Sequence, residues 1–449
     1  MPRRHAPLVI DMPSSESMFA PVTANAAWLA HALFYGTLAL LMFGPLAFGA
    51  TLPWGQFVQR TAALFLLMLW VVQQYQHGTI EVAENPLLLP AIALFALVTL
   101  QFVTGWTAYR YDTLSEALNL IPSGAIILIA GEVLNRRSKL REFAIAMSVF
   151  GFFLALLAVV QDLSNSDKIY WLVKARGISS LIYGPYANHN HYAGLMEMLV
   201  PLAGAAAFLE RGGKRMLLVF ATAIMALSIV FSRSRGGMLG LAVSVAFVCA
   251  LLFRMNRRGR AALGVIGITV LVLVLTLFLA SDKVLQHVTE TQDYYRLAIY
   301  RDSLRMWLHK PFLGFGWGTF PTVYPAYRSF FTDLRVNHAH NDYLELLVDT
   351  GLVGIAITGW FLFGVVRGGF RKIFDRDDFE GSVLAIGVLS SIVAILAHSV
   401  LDFNLHIPAN AALFYCLCAA AAVPYKKRVR QMEFTAWERE PESIEVESE

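Results

Sequence analysis

Charge is what this chain has little of. Lys, Arg, Asp and Glu together make up 15% of its 449 residues, against 57% hydrophobic and 12% aromatic. Soluble domains carry about 25% charged residues, so an ordinary soluble enzyme is excluded. Cysteine is scarcer still: Cys249, Cys416 and Cys418 all lie inside apolar stretches. That excludes a disulfide framework and a cysteine zinc site, and leaves small buried side chains. A net charge of +4 carries no nucleic-acid signature, because the basic residues are parcelled into short connections between apolar blocks. A polar stretch parts Arg3 and Arg4 from the first apolar block, so no cleaved signal peptide is expected. The chain also lacks a sequence repeat and a separate soluble domain.

What remains is a series of apolar blocks of bilayer length. They predict an all-α, polytopic membrane protein with about 12 spans: 27–49, 57–75, 86–102, 114–134, 143–160, 192–209, 216–231, 236–253, 263–279, 343–366, 383–400 and 409–423. The second has a short apolar centre. Basic connections at 135–141, 210–215, 254–260, 367–380 and 426–430 fall on every second side, which places both ends in the cytoplasm. Only 76–85 lacks positive charge on that side. The organisation expected is a cytoplasmic segment 1–26, a membrane domain 27–425 and a cytoplasmic tail 426–449. From 432 on, that tail is glutamate-rich and reads as disordered. A long outer loop, 280–342, separates the ninth and tenth spans.

The outer connections hold the chemistry. Arg233 and Arg235 occupy a very short outer turn, Ser232-Arg233-Ser234-Arg235-Gly236-Gly237, where positive charge is normally depleted. Guanidinium forks grip phosphate oxygens in pairs, and the glycines open a helix N-terminus to an anion. A headgroup anchor is the plainer reading. Before the sixth span stands Tyr183-Gly184-Pro185-Tyr186-Ala187-Asn188-His189-Asn190-His191-Tyr192, amides, imidazoles and phenols that suit sugar hydroxyls or an interfacial belt. His189 and His191 lack a third partner for a metal.

In the long loop, residues 294–307 pattern as an amphipathic helix along the membrane surface, with Arg301 and Arg305 at i and i+4. The turn 311–318, Pro-Phe-Leu-Gly-Phe-Gly-Trp-Gly, lacks the strand–helix context of a nucleotide fingerprint. Its aromatic faces suit a sugar ring or a lipid tail. Then comes Arg335-Val336-Asn337-His338-Ala339-His340-Asn341-Asp342-Tyr343-Leu344-Glu345. Imidazole is the side chain best fitted to move a proton near neutral pH. At i and i+2, His338 and His340 would face different ways in a helix, so one is expected to work and the other to be a neighbour or surface residue. His398, Asp402, Asn404 and His406 gather further on. Each is a functional candidate at membrane depth or a structural hydrogen-bond partner.

Taken in order over 183–410, these elements resemble the O-antigen ligase and polymerase superfamily of bacterial envelope glycosyltransferases. The resemblance rests on Asn188 and Asn190 entering a helix, on Ser234-Arg235-Gly236-Gly237, and on Arg296 ahead of Trp307. It continues through the 311–318 turn, His340-Asn341 before Tyr343-Leu344, and His398-Ser399 ahead of Asp402. It implies transfer of a glycan from undecaprenyl diphosphate to an acceptor hydroxyl, lipid A–core or a growing polysaccharide, at the periplasmic face of the inner membrane. No nucleotide sugar, metal or cofactor is implied, and no nucleic acid; membrane lipids are the remaining partner. By the same resemblance Arg235 and Arg296 stabilise the diphosphate and His340 is the base or positions the acceptor. Arg233, Asn188, Asn190, His338, Asn341 and Asp402 are substrate-binding candidates. Direct displacement inverts the anomeric centre; retention wants a paired carboxylate nucleophile, and no obvious pair stands out on this face.

Three readings within the superfamily stay open: ligase, repeat-unit polymerase (O-antigen, capsule or exopolysaccharide), and protein glycosylation. A fourth, of another class, is a small-anion transporter filtered by Arg233 and Arg235. Against it, ionisable residues gather on one leaflet, with Glu197 the main exception, and no inverted repeat is visible.

Overall fold

In hydrocarbon no water satisfies the backbone, so apolar runs fold as helices that close their own hydrogen bonds. The computed structural model describes residues 25–77, 80, 82–174, 182–254, 289–332 and 335–426, side chains of 25–27 and 289–294 excepted. Its helices are α1 (Asn25–Leu46), α2 (Pro53–His77), α3 (Leu88–Thr104), α4 (Arg110–Ala117), α5 (Leu120–Val133), α6 (Arg137–Leu163) and α7 (His189–Leu209). They continue with α8 (Gly212–Phe231), α9 (Arg235–Arg254), α10 (Thr289–His309), α11 (Phe320–Val323), α12 (Asp342–Ile373), α13 (Phe379–His398) and α14 (Pro408–Ala422). One small hairpin pairs β1 (Lys168–Ile169) with β2 (Val173–Lys174). Among the described residues nine helical stretches are long and apolar enough to cross a membrane, and α3 and α14 are shorter apolar helices. The ninth expected span, 263–279, lies outside the described residues, as do the two ends.

Three spans differ from expectation. The second is a full helix of 25 residues, because the polar residues flanking its apolar centre continue the helix. The fourth is broken between α4 and α5; Pro122 has no N–H for the carbonyl of Leu118 and crowds it. The tenth runs 32 residues and is interrupted at Gly351, which adopts φ 62°, ψ −162°.

That interruption explains the 311–318 turn. Leu352 and Val353 donate their N–H groups to the carbonyls of Pro311 and Phe312, while Phe315 and Gly316 donate to those of Val348 and Asp349. A Cβ on Gly351 would sit 2.3 Å from Phe312 backbone, and one on Gly314 2.4 Å from Asp349 backbone. Gln101 of α3 adds bonds to Leu313, Asp349 and Trp317. The turn therefore uses its glycines to seat on broken α12.

The described part of the long segment 280–342 is a folded unit. Ile299 and Met306 of α10, Phe315, Phe320, Tyr324, Ala339 and Val348 form a small apolar core of their own. Asp302, buried beneath it, accepts from the Ser329 N–H and hydroxyl. In the bundle, α7 and α13 are the central helices, each with 78% of its span window buried, and they pack on each other and on α9. All three cysteines are free and buried, as their setting in apolar runs implies.

Candidate active site

The ends of several helices meet at one end of the bundle: the starts of α7, α9, α12 and α14 and the finish of α13. Asn188 caps α7 by accepting the N–H of Asn190. Asn341 caps α12 by accepting the N–H of Leu344, and its amide donates to the Val400 carbonyl. Ser234 caps α9 by accepting the N–H of Gly237. Each cap satisfies a donor that a helix start leaves open. Two of the candidate amides, Asn188 and Asn341, thus hold the shape of the site.

Asp402 is its centre. The carboxylate is 1% exposed and accepts from Asn190 Nδ2 at 2.6 Å, the Phe403 N–H at 2.9 Å and His340 Nδ1 at 3.3 Å. Burial by itself would raise this carboxyl. The His340 hydrogen bond and the nearby His191, His340 and His398 outweigh it and hold Asp402 well below the ordinary carboxylate range. It is therefore an anion at neutral pH. His340 keeps 30% of its side chain exposed, while its Nδ1 is held by Asp402.

The backbone around His340 is held firmly. His340 adopts φ +51°, a left-handed conformation that costs a non-glycine residue about 1–3 kcal/mol. Tyr300 donates its hydroxyl to the His340 carbonyl at 2.7 Å and to that of Val400 at 3.1 Å, and the Asp342 N–H donates to the Ser399 carbonyl. Burial pushes the Tyr300 phenol up, so it stays a donor.

Two arginines lie within electrostatic reach of groups around this centre. Arg296, on α10, is half-buried and lies within electrostatic reach of Tyr300, His189 and His398. Arg233, exposed and with φ +58°, reaches His189 and Tyr183 in the same way. Among the described residues neither Arg296 nor Arg233 forms an ion pair. Arg235 is exposed at the first position of α9.

Two further histidine–carboxylate groups lie alongside. His398 and Glu197, both fully buried, pair at 3.1 Å, so the ionisable group expected alone inside α7 has a partner. Gly236 gives that pair its room: a Cβ there would stand 2.3 Å from the His398 ring. The other group joins His338, Glu345, His406 and Asp342. Glu345 accepts from His338 Nδ1 at 2.9 Å, His406 Nε2 at 3.2 Å and the Ala339 N–H at 2.8 Å. His406 Nδ1 reaches Asp342 at 2.8 Å. Burial lowers the His406 imidazole, but Glu345 and the Asp342 hydrogen bond carry it up to about 10, making it a cation between two carboxylates.

His338 and His340 stand on an irregular segment, not on a helix, and bond different carboxylates, Glu345 and Asp402; both touch Phe403, His338 stacking on its ring at 4.1 Å and His340 meeting it edge-on at 5.1 Å. Asp342, Glu345 and Asp349 share one face of α12 and are all buried, because i, i+3 and i+7 align on a helix. That spacing was readable; the pairing of Asp342 and Glu345 to His406, about 60 residues on, was not. Sequence reasoning also missed Tyr300 and Phe403, which carry no motif.

His189 Nδ1 lies 2.5 Å from the Ser232 carbonyl oxygen and His191 packs edge-on to Phe403. Among the described residues the one grouping of three metal-ligand side chains is instead His338, Glu345 and His406.

A family model described as O-antigen ligase matches residues 220–359, which supports the superfamily that the sequence resembles. The matched stretch contains Arg233, Arg235, Arg296, His338 and His340, and leaves Asn188, Asn190 and Asp402 outside. No curated protein matches the chain.

Proposed function

We propose that this membrane protein transfers a glycan from undecaprenyl diphosphate to an acceptor hydroxyl, with His340 as the base and Asp402 as its orienting partner. The observation that carries the reading is the contact of His340 Nδ1 with the buried Asp402 carboxylate at 3.3 Å. An anionic acceptor on Nδ1 keeps the proton there and leaves Nε2 bare to receive one. Arg235 and Arg296, assisted by Arg233, neutralise the diphosphate, which a dry, preorganised setting makes effective.

In the step itself the acceptor oxygen bonds to the anomeric carbon as the bond from that carbon to the diphosphate oxygen breaks. The hydroxyl proton passes to His340 Nε2 and the electron pair leaves with the diphosphate. The attack inverts the anomeric centre. Asp342 and Glu345 are engaged by His406 and His338, which argues against either serving as a glycosyl nucleophile. Asn190 ties the α7 start to Asp402, and the caps Asn188 and Asn341 hold the walls against which the glycan would lie.

The test is a deletion strain complemented with wild type or His340→Ala, with carrier-linked glycans and envelope polysaccharide extracted together. Loss of rescue with accumulation of carrier-linked glycan is expected. Accumulated single repeats mean a polymerase, and long chains mean a ligase acting on lipid A–core. Full rescue with unchanged carrier pools overturns the reading.

A further inference from the structure

We propose that His338, Glu345 and His406 bind a single divalent transition-metal ion of the zinc kind, which ties the 335–341 strap to the 399–407 loop. The three donors come from two parts of the chain about 60 residues apart: His338 from the strap before α12, Glu345 from the first turn of α12, and His406 from the loop between α13 and α14. Glu345 Oε1 lies 2.9 Å from His338 Nδ1 and 3.2 Å from His406 Nε2, and the three ligand atoms fall within 4.8 Å of one another. Bonds of about 2.0–2.2 Å in a tetrahedron set ligand atoms about 3.4 Å apart. Shifts of a few tenths of an ångström at Glu345, with closure of the histidine pair, would seat an ion.

The surroundings of the three donors are those of a metal site. His406 presents Nε2 while its Nδ1 is held by Asp342 at 2.8 Å, the carboxylate–histidine arrangement that fixes the tautomer of a ligating imidazole. The second oxygen of Glu345 is held by the Ala339 N–H at 2.8 Å, and the His338 ring is fixed by stacking on Phe403. Access is built in: Glu345 is 4% exposed, but the His338 and His406 side chains are 30% and 32% exposed.

Charge points the same way. Asp342, Glu345 and Asp349 are buried on one face of α12, and none pairs with a lysine or arginine among the described residues. Asp349 Oδ1 has no hydrogen-bond partner among the described residues. Two imidazoles and one carboxylate suit zinc-like ions and not magnesium or calcium, which favour oxygen donors. The remaining position would hold water.

The ion stands outside the transfer chemistry. His338 is two residues from His340, and His406 is four from Asp402, so the ion would hold that pair in register; this consequence alone rests on the proposed function. The test uses the full chain in detergent, stripped with EDTA, dialysed, and titrated with zinc chloride by calorimetry at neutral pH. One saturable equivalent is expected, together with a raised thermal midpoint. His338→Ala should abolish both, and its own midpoint without zinc shows that it folds. Asp342→Asn should weaken binding about 10–100-fold. No saturable binding by wild type, or equal binding by His338→Ala, overturns the proposal. His340→Ala separates the two ideas: it should keep zinc while losing transfer. If it binds zinc and still transfers normally, the metal site stands and the catalytic reading falls.

Discussion

Replacing Asp402 by Asn removes one charge and one acceptor from a buried carboxylate that serves three donors. Those donors are Asn190 Nδ2 on one oxygen and the Phe403 N–H and His340 Nδ1 on the other. An amide has one acceptor oxygen, so at least one donor must face an NH2 group. Hydrogen bonds to a charged group contribute about 1.5–3 kcal/mol each, and Asp402→Asn should lower stability by about that much. The larger effect falls on the reaction. With the amide turned toward His340, Nδ1 becomes the acceptor and Nε2 carries the proton, the wrong tautomer for a base. General-base catalysis contributes about 10²–10⁴-fold, and Asp402→Asn should lose a comparable factor in single-turnover transfer from a carrier-linked glycan, with little change in acceptor KM. Because the two residues act as a unit, Asp402→Asn combined with His340→Ala should be no slower than His340→Ala alone. Losses that multiply in the double variant, or a wild-type rate in Asp402→Asn, would refute the pairing.

Three more outcomes follow from the same geometry. Asp402 has a depressed folded value, so its stabilisation is complete above the unfolded aspartate value of about 3.9 and fades as pH falls through the folded one. Chemical denaturation from pH 8 to 3 should therefore show a constant stability gap between wild type and Asp402→Asn down to about pH 5, narrowing below about pH 4. Gly236→Ala places a methyl 2.3 Å from the buried His398 ring; overpacking costs about 1–3 kcal/mol, and adding His398→Ala should recover part of it in detergent melts. Glu197→Gln keeps a hydrogen bond to His398 and should transfer at near the wild-type rate, whereas Glu197→Ala should cost about 1–3 kcal/mol by leaving His398 Nδ1 unpaired. A severe transfer defect in Glu197→Gln would put that pair inside the reaction.

Much of the fold was legible because hydrocarbon leaves the chain few choices. Apolar length alone located most of the spans, and α10 followed from its amphipathic spacing. Where length misled, a single residue was responsible. Pro122 split one span, and Gly351 split another so that the 311–318 turn could add its backbone to the gap. A glycine in sequence does not announce which backbone will approach it, so the seating of that turn on α12 was not readable along the chain. Nor was it readable that Asn188 and Asn341, amides suited to sugar hydroxyls, cap α7 and α12.

Residue chemistry and its placement at span ends were set by the sequence itself: few charges, arginines where a short turn should lack them, and imidazoles beside a polar loop. These are local properties, readable from composition and period. The partnerships were settled only in three dimensions. Which histidine faces Asp402, which faces Glu345, that Glu197 meets His398, and that Phe403 touches both His338 and His340 depend on the ends of α7, α12 and α13 meeting. Helix ends meet through side-chain packing between segments far apart in the chain, and no periodicity along one segment encodes that.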